Sequence, residues 1–365
     1  MLCNSGPISY RNSTDEPENF IYDVDQQIYN VPYGTLPEMH AEPSMGGFVT
    51  NYVKYRGQAR ADEVMRGLNR STLPVLYALA QEYAVFDHWF SSVPGSTFPN
   101  RNFLHAATAG GIVNNDFPKL GYPLKTTFEN LDQHKIPYRI YSASPVPGTL
   151  LFRYFRDPTR VPGYDMSAFY QDCRNGSLKP YTYIEPAMFG VDQRLINDQH
   201  PHASEYYDLR RGELFYKQVY EAVRASPQWN EILMLLVWDE HGGFYDHIPP
   251  PTGVPNPDGI TDPTFNFTRL GIRVPAVLIS PYVPKGLVIS DVHEHASVSS
   301  TMHQLWDTPY LTKRDAAAQS FEKYANLTTA RADCPSTLPD PAWQYDSGYK
   351  QSLGKEDDQQ EQSLH

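Results

Sequence analysis

Apolar positions in this chain come in short runs separated by long polar stretches, and two of the runs are unbroken. Ile232 to Trp238 (ILMLLVW) is bounded by a polar helix end and by Asp239–Gly243, which predicts a strand buried on both faces. Val274 to Ser280 (VPAVLIS) reads the same way. Shorter runs at Tyr138–Ala143 and Tyr181–Glu185 predict further strands. Between them the period lengthens. Pro74–Tyr83 (PVLYALAQEY) opens on a proline suited to a first helical turn, and over Glu213–Ala225 the residues Leu214, Tyr216, Val219, Tyr220 and Val223 form an apolar helix face. Helices alternating with apolar strands predict an α/β fold, a mostly parallel sheet with helices on both faces. No repeat and no linker divides the chain, so residues 1–350 are expected to form one domain. Residues 351–365, which end in GKEDDQQEQSLH, are expected to be a disordered tail.

Composition and charge remove several functions. The 365 residues carry 30 basic and 42 acidic side chains, a net charge of −12. With no basic run, nucleic acid is not expected as a partner, because neutralising its phosphates needs clustered Lys and Arg. Any phosphate chemistry has to be local. No stretch approaches the ~18–20 consecutive apolar residues of a membrane span, and the opening MLCNSGPISYRNST holds no apolar signal-peptide core. Cys3, Cys173 and Cys334 allow at most one disulfide. Sequons at Asn12, Asn69, Asn175, Asn266 and Asn326 point toward secretory passage, which fits a chain whose natural start is not Met1.

Four clusters carry candidate chemistry. Val237 to His247 (VWDEHGGFYDH) runs from a buried strand straight into Asp239, Glu240 and His241. Ligands bind at the carboxyl ends of strands in open parallel sheets, and adjacent carboxylates there call for a neutralising partner, commonly a divalent metal. Ser96 to Arg101 (STFPNR) combines a hydroxyl nucleophile, a proline-fixed turn and a guanidinium able to grip a phosphoryl oxygen. Asn197 to His202 (NDQHPH) and His293 to Ser297 (HEHAS) set imidazoles in polar loops, suited to acid–base work or to metal ligation.

Read together, these segments resemble the phosphoesterase family of acid phosphatases and of phosphatidylcholine-hydrolysing and non-specific phospholipases C, within the alkaline-phosphatase superfamily. The resemblance runs over roughly residues 15 to 310, through Pro43–Phe48 (PSMGGF), Val85–Pro94 (VFDHWFSSVP), Ser96–Arg101, Tyr183–Pro186 (YIEP), the Asn197 loop, Asp239–His247 (DEHGGFYDH) and Arg273–Tyr282 (RVPAVLISPY). It implies an alkaline-phosphatase-like α/β fold and a metal-dependent hydrolase of phosphoesters, most of all a phospholipase C acting on phosphatidylcholine-type lipids, with a phosphomonoesterase as the alternative. Thr97 would be the nucleophile, Asn100 and Arg101 its catalytic companions, and His200, His202 or His295 the proton donor to the leaving oxygen. Asp239, Glu240 and Thr97 would ligate a divalent metal ion. A phospholipid or other phosphoester substrate and peripheral membrane contact follow from the same likeness.

The chain departs from the family at its beginning. Family members open with a strand ending in Glu-Asn-Arg-Ser-Phe-Asp, which supplies two further metal ligands, and no such sequence occurs here; their Asp-Pro-Gly-His segment aligns with Asp15-Glu16-Pro17-Glu18. The expectation is a sheet without its first strand and an incomplete metal site, hence weak or absent activity. A truncated record and an inactive paralogue that only binds lipid or phosphate both fit that departure.

Overall fold

The apolar run Val274–Ser280 becomes the buried middle of the main sheet, and Ile232–Trp238 becomes its edge. The computed structural model describes residues 19–36, 41–58, 61–157, 159–160, 163–188, 195–200 and 209–341. In chain order these form α1 (Ile21–Tyr29), α2 (Phe48–Arg56), α3 (Pro74–Glu82), β1 (Ala84–Phe86), β2 (Trp89–Phe90), α4 (Thr97–Ala106), α5 (Thr127–Gln133), β3 (Tyr138–Ser142) and α6 (Met166–Asn175). There follow β4 (Tyr181–Glu185), α7 (Leu209–Ala225), β5 (Met234–Val237), β6 (Ala276–Ile279), β7 (Val288–Ile289), β8 (His293–Glu294), α8 (Ala296–Trp306) and α9 (Lys313–Ala317). All four predicted strands and both predicted helices are present. Asp15–Glu18, Cys3, Asn12 and the tail 351–365 lie outside the described residues, as does the stretch on which the expectation about the first strand bears.

The main sheet has the order β5-β6-β1-β7. β1 runs parallel to β7 and antiparallel to β6, while β5 runs antiparallel to β6 with Met234 opposite Ile279. β2 pairs with β8 and β3 with β4, both parallel. The α/β architecture is therefore as expected, with the main sheet mixed in sense. A parallel neighbour needs a crossover connection, usually a helix. Between β5 and β6 the chain makes no helix, and β6 returns antiparallel. At the edge β5 has one neighbour, which leaves all four of its residues half-buried, whereas β6 is buried throughout.

Side chains of β6 alternate between two cores, as the period of a strand requires. Val277 and Ile279 join Val75, Leu79, Tyr83, Val219 and Tyr220 beneath α3 and α7. Ala276 and Leu278 join Phe86, Trp89, Ile289 and Val298 on the opposite face. Cys173 and Cys334 are buried free thiols, so the described residues hold no disulfide. Among them no helix is long and apolar enough to cross a membrane.

One buried acid fixes α3 against α7. Leu73, which precedes the helix, offers no side-chain cap. Instead Glu213 of α7 accepts the backbone N–H groups of Val75 (3.4 Å) and Leu76 (2.8 Å) and the hydroxyl of Tyr216 (2.8 Å). Burial raises the Glu213 carboxyl above its ordinary range, and these donors pull it back. Glu213→Ala should cost about 2–3 kcal/mol, since it orphans two helix-terminal donors and a hydroxyl, whereas Glu213→Gln keeps an acceptor and should lose less. Urea denaturation of the two variants checks the order.

Candidate active site

The site is assembled where β5 ends and α4 begins. Trp238, Asp239 and Glu240 continue directly from β5, and the chain then turns on Gly242 and Gly243, whose φ angles of 62° and 70° suit residues without a Cβ. Thr97 is the first residue of α4, and Ser96 before it makes no side-chain cap. Arg101 lies one turn further along the same helix, so it and Thr97 share a face.

Arg101 joins three elements. Its Nε donates to Asp239 Oδ2 at 2.7 Å and its Nη1 to Glu185 Oε1 at 3.0 Å. Glu185 ends β4 and also accepts the backbone N–H of Gly148 at 2.8 Å. Burial opposes the charge of Arg101, but Asp239, Tyr183 and Glu185 outweigh it and hold the guanidinium above its ordinary pKa. Burial likewise lifts Glu185, an effect that Arg101 offsets.

Around this pair lies a cavity of about 410 Å³. Its polar wall includes Thr97, Arg101, Asp198, His200, Asp239 and Glu240, and its apolar wall includes Leu68, Leu73, Leu76, Met188, Leu209 and Trp238. Glu240 Oε2 accepts the backbone N–H of Gly242 at 2.5 Å, and burial together with the Asp239 charge pushes the Glu240 carboxyl up. Asp198 Oδ1 accepts the backbone N–H of His200 at 3.0 Å, and burial pushes Asp198 up to about 7. His241 is held neutral, pushed down to about 3 by burial, with Nε2 2.9 Å from Gln27 Oε1.

Five of the residues singled out in the sequence, Thr97, Arg101, His200, Asp239 and Glu240, line this cavity together. Two do not. Asn100 is fully buried and fastens its own loop: its Oδ1 accepts the N–H of Val93 at 2.9 Å, and its Nδ2 donates to the carbonyls of Val93, Gly95 and Ser96 at 3.0–3.1 Å. His295 sits behind the cavity, with Nε2 2.7 Å from the Asp239 carbonyl and Nδ1 3.4 Å from Trp89 Nε1. Burial pushes His295 down to about 4, so the neutral ring donates from Nε2 and accepts at Nδ1. With both nitrogens engaged, it is not positioned to protonate a leaving group, and its task is to hold the Asp239 backbone. His202 lies outside the described residues.

Two acids were not singled out from the sequence. Asp198 shares its loop with His200 and His202, and what sets it apart is burial, which local sequence does not carry. Glu185 lies within the Tyr183–Pro186 segment, but it stands 84 residues from Arg101 in the chain and no local pattern connects the two.

The donors for a divalent metal are also constrained. Such an ion takes four ligands if it is Zn2+ and six or more oxygens if it is Mg2+ or Ca2+. Here Asp239 Oδ2 is bound by Arg101, Asp239 Oδ1 by the N–H of Glu240 at 3.1 Å, and Glu240 Oε2 by Gly242. Among the described residues no group of three or more His, Cys, Asp or Glu side chains is arranged to hold a metal. The described donors do not fit the ion that the family resemblance implies.

Comparison with known proteins agrees with the motifs. Residues 9–309 match the model of the Phosphoesterase family. The chain is 39% identical over 347 residues to the non-specific phospholipase C3 of Arabidopsis thaliana and 40% identical over 347 residues to its non-specific phospholipase C6, each match covering 90% of this chain. It is 25% identical over 292 residues to phospholipase C B of Mycobacterium tuberculosis, covering 69% of this chain and 54% of that protein. The chain spans 65% and 64% of the two plant relatives' lengths.

The buried Asp198 gives the protein a pH signature. Its folded pKa of about 7 lies above the ordinary 3.8, so the folded state binds this proton more readily than the unfolded chain. Its contribution to stability is complete below about pH 4 and is lost as pH rises to about 7. Asp198→Asn should therefore gain stability relative to the parent between pH 4 and 8, as read by urea midpoints across that range.

Proposed function

The chain belongs to the Phosphoesterase family, and from that premise we propose that it is a phosphoric ester hydrolase, a phospholipase C that cleaves phosphatidylcholine-type glycerophospholipids. The observation that carries the reading is the sharing of one cavity by Thr97, Arg101, Asp198 and His200 with an apolar wall of Leu68, Leu73, Leu76 and Leu209. A phosphodiester with an apolar leaving group needs both kinds of wall. The plant relatives' names, non-specific phospholipase C, support the same substrate class.

In the proposed reaction the Thr97 oxygen attacks phosphorus, and its proton passes to Asp198 or His200, two of the titratable groups of that wall. The phosphorus–glycerol oxygen bond breaks, the glycerol oxygen takes up the proton that Asp198 or His200 accepted, and diacylglycerol leaves. Water then cleaves the phosphothreonine, releasing the phosphorylated headgroup and restoring Thr97. Thr97 opens a helix, where the helix dipole favours the negative charge of the phosphoryl group. Arg101, held protonated, is the group that stabilises charge on the transferring oxygens. No step of this scheme runs through a metal.

Secretion is part of the same proposal. The sequon asparagines Asn69, Asn175, Asn266 and Asn326 are all exposed, so the fold leaves room for glycans. Protein made in a eukaryotic secretory host should lose apparent mass on glycosidase treatment, and an unchanged mobility removes this element.

The activity is tested by diacylglycerol release from phosphatidylcholine vesicles. Thr97→Ala should lower it by roughly a thousandfold or more and abolish trapping of labelled phosphate on the protein. Label retained by the variant overturns the nucleophile, and turnover confined to soluble monoesters favours the phosphatase.

A further inference from the structure

We propose that Gln199 is a positioning residue of the site: its side chain, laid across Gly212 and bonded to the first residue of α7, holds Asp198 and His200 in the cavity wall. The inference rests on the hydrolase reading above for what those two groups do, and on geometry for how they are held.

Within residues 197–200, neighbouring residues have different tasks. Asp198 and His200 line the cavity. Asn197, before them, is fastened to the stretch that follows β4: its Oδ1 accepts the Ala187 N–H at 2.7 Å, and its own N–H donates to the Ala187 carbonyl at 3.1 Å. Ala187 stands just beyond Glu185, the acid that holds Arg101. Gln199 makes the second attachment. Its Nε2 donates to the carbonyl of Leu209, the first residue of α7, at 2.7 Å.

That attachment joins two locally unfavourable choices. Gln199 has a φ of 62°, a left-handed conformation that residues with a Cβ seldom adopt and that persists where the surroundings hold it. Across from it, Gly212 lies inside α7, where glycine is a poorer helix former than alanine. Close approach explains the glycine: a Cβ on Gly212 would overlap Gln199 Cγ and stand 2.8 Å from its Cδ and 3.2 Å from its Nε2. An alanine there would push the amide away from the Leu209 carbonyl. What the contact secures is the residue between Asp198 and His200.

The chemical consequence falls on Asp198. Its Oδ1 accepts the His200 N–H at 3.0 Å across Gln199, so the backbone turn at Gln199 sets where the carboxyl lies. Arg101 of α4 and Asp239 beyond β5 act on that carboxyl with opposite sign, Glu240 lines the same cavity, and burial is the largest influence. A loop released from α7 would let water reach the carboxyl and bring its pKa from about 7 down toward the ordinary 3.8.

The test is a double-mutant cycle of Gln199→Ala and Gly212→Ala, read by thermal melting and by turnover of a soluble short-chain phosphodiester across the pH range. Each single variant should lower kcat about tenfold with a smaller change in KM, and should move the acid limb of the kcat profile toward lower pH by about one unit. The double variant should be no worse than Gln199→Ala alone. Gly212→Ala should lower the melting temperature of the parent and raise that of Gln199→Ala, because the better helix propensity of alanine shows only once the amide is gone. A Gln199→Ala protein with the parental kcat or an unmoved acid limb overturns the proposal, and so does a Gly212→Ala effect of equal size in both backgrounds. Asp198→Asn gives a readout that needs neither turnover nor the Gly212 variant. The stability it gains near neutral pH in the parent should shrink in the Gln199→Ala background, and an unchanged gain overturns the positioning. A parent that turns over no phosphodiester sinks the hydrolase reading, and the stability couplings then decide the positioning on their own.

Discussion

A single guanidinium holds the site together. Arg101 lies between Asp239 at the end of β5 and Glu185 at the end of β4, while its own backbone belongs to the helix that Thr97 opens. Only 15% of its side chain is exposed, and Glu185 shows 1%. Removing one member of so buried a set leaves a carboxylate or a cation without its partner, which typically costs 3–5 kcal/mol. The strand ends and the helix are thus fixed by one ionic network, and Thr97 inherits its position from that network.

The same burial decides which groups are left for chemistry. His241 and His295 are driven neutral by desolvation; His295 has both ring nitrogens in hydrogen bonds and His241 its Nε2, so they support backbone and side chains of the site. Acids respond in the opposite sense. Asp198 is pushed up to about 7, where one carboxyl is able both to accept and to return a proton near neutral pH. A cavity with one strongly held cation and two acids, Asp198 and Glu240, pushed up toward neutrality is suited to moving protons near neutral pH.

Much of this was legible along the chain, and the remainder was hidden for a physical reason. β6 was visible because a strand covered on both faces must be apolar at every position, and α3 and α7 because their periods matched their buried sides. The edge status of β5 was not visible, since Ile232–Trp238 is as apolar as the central strand and only the pairing, set by distant residues, separates them. The antiparallel return of β6 was hidden in what the connection lacked. In the site, Thr97 and Arg101 were readable as a hydroxyl and a guanidinium beside a proline-fixed turn, while the helix that puts them on one face was not. Asn100 stands beside Arg101 in the chain and shares its polarity, yet its amide is turned onto the loop that shapes the helix start, and only coordinates separate those two uses. Glu185 and Asp198 acquire meaning from Arg101 and from burial, both of which are properties of the fold.

The long connection between β5 and β6 ties these threads together. It begins with Asp239 and Glu240 in the cavity, reaches out to Ile260 at the surface, and returns to Arg273 just before β6. Arg273 grips Asp246 with two hydrogen bonds, at 2.7 and 2.6 Å, and donates a third to the Asp87 carbonyl at 2.7 Å. That clamp closes the connection near its two ends, so the stretch between them is a loop anchored at its base. A helical crossover would have met the demand of a parallel sheet and presented a smooth outer face. The non-helical return instead leaves a chain free to supply carboxylates at its root and an exposed apolar residue, Ile260, at its far end, with Asp239, the carboxylate that holds Arg101, at its start.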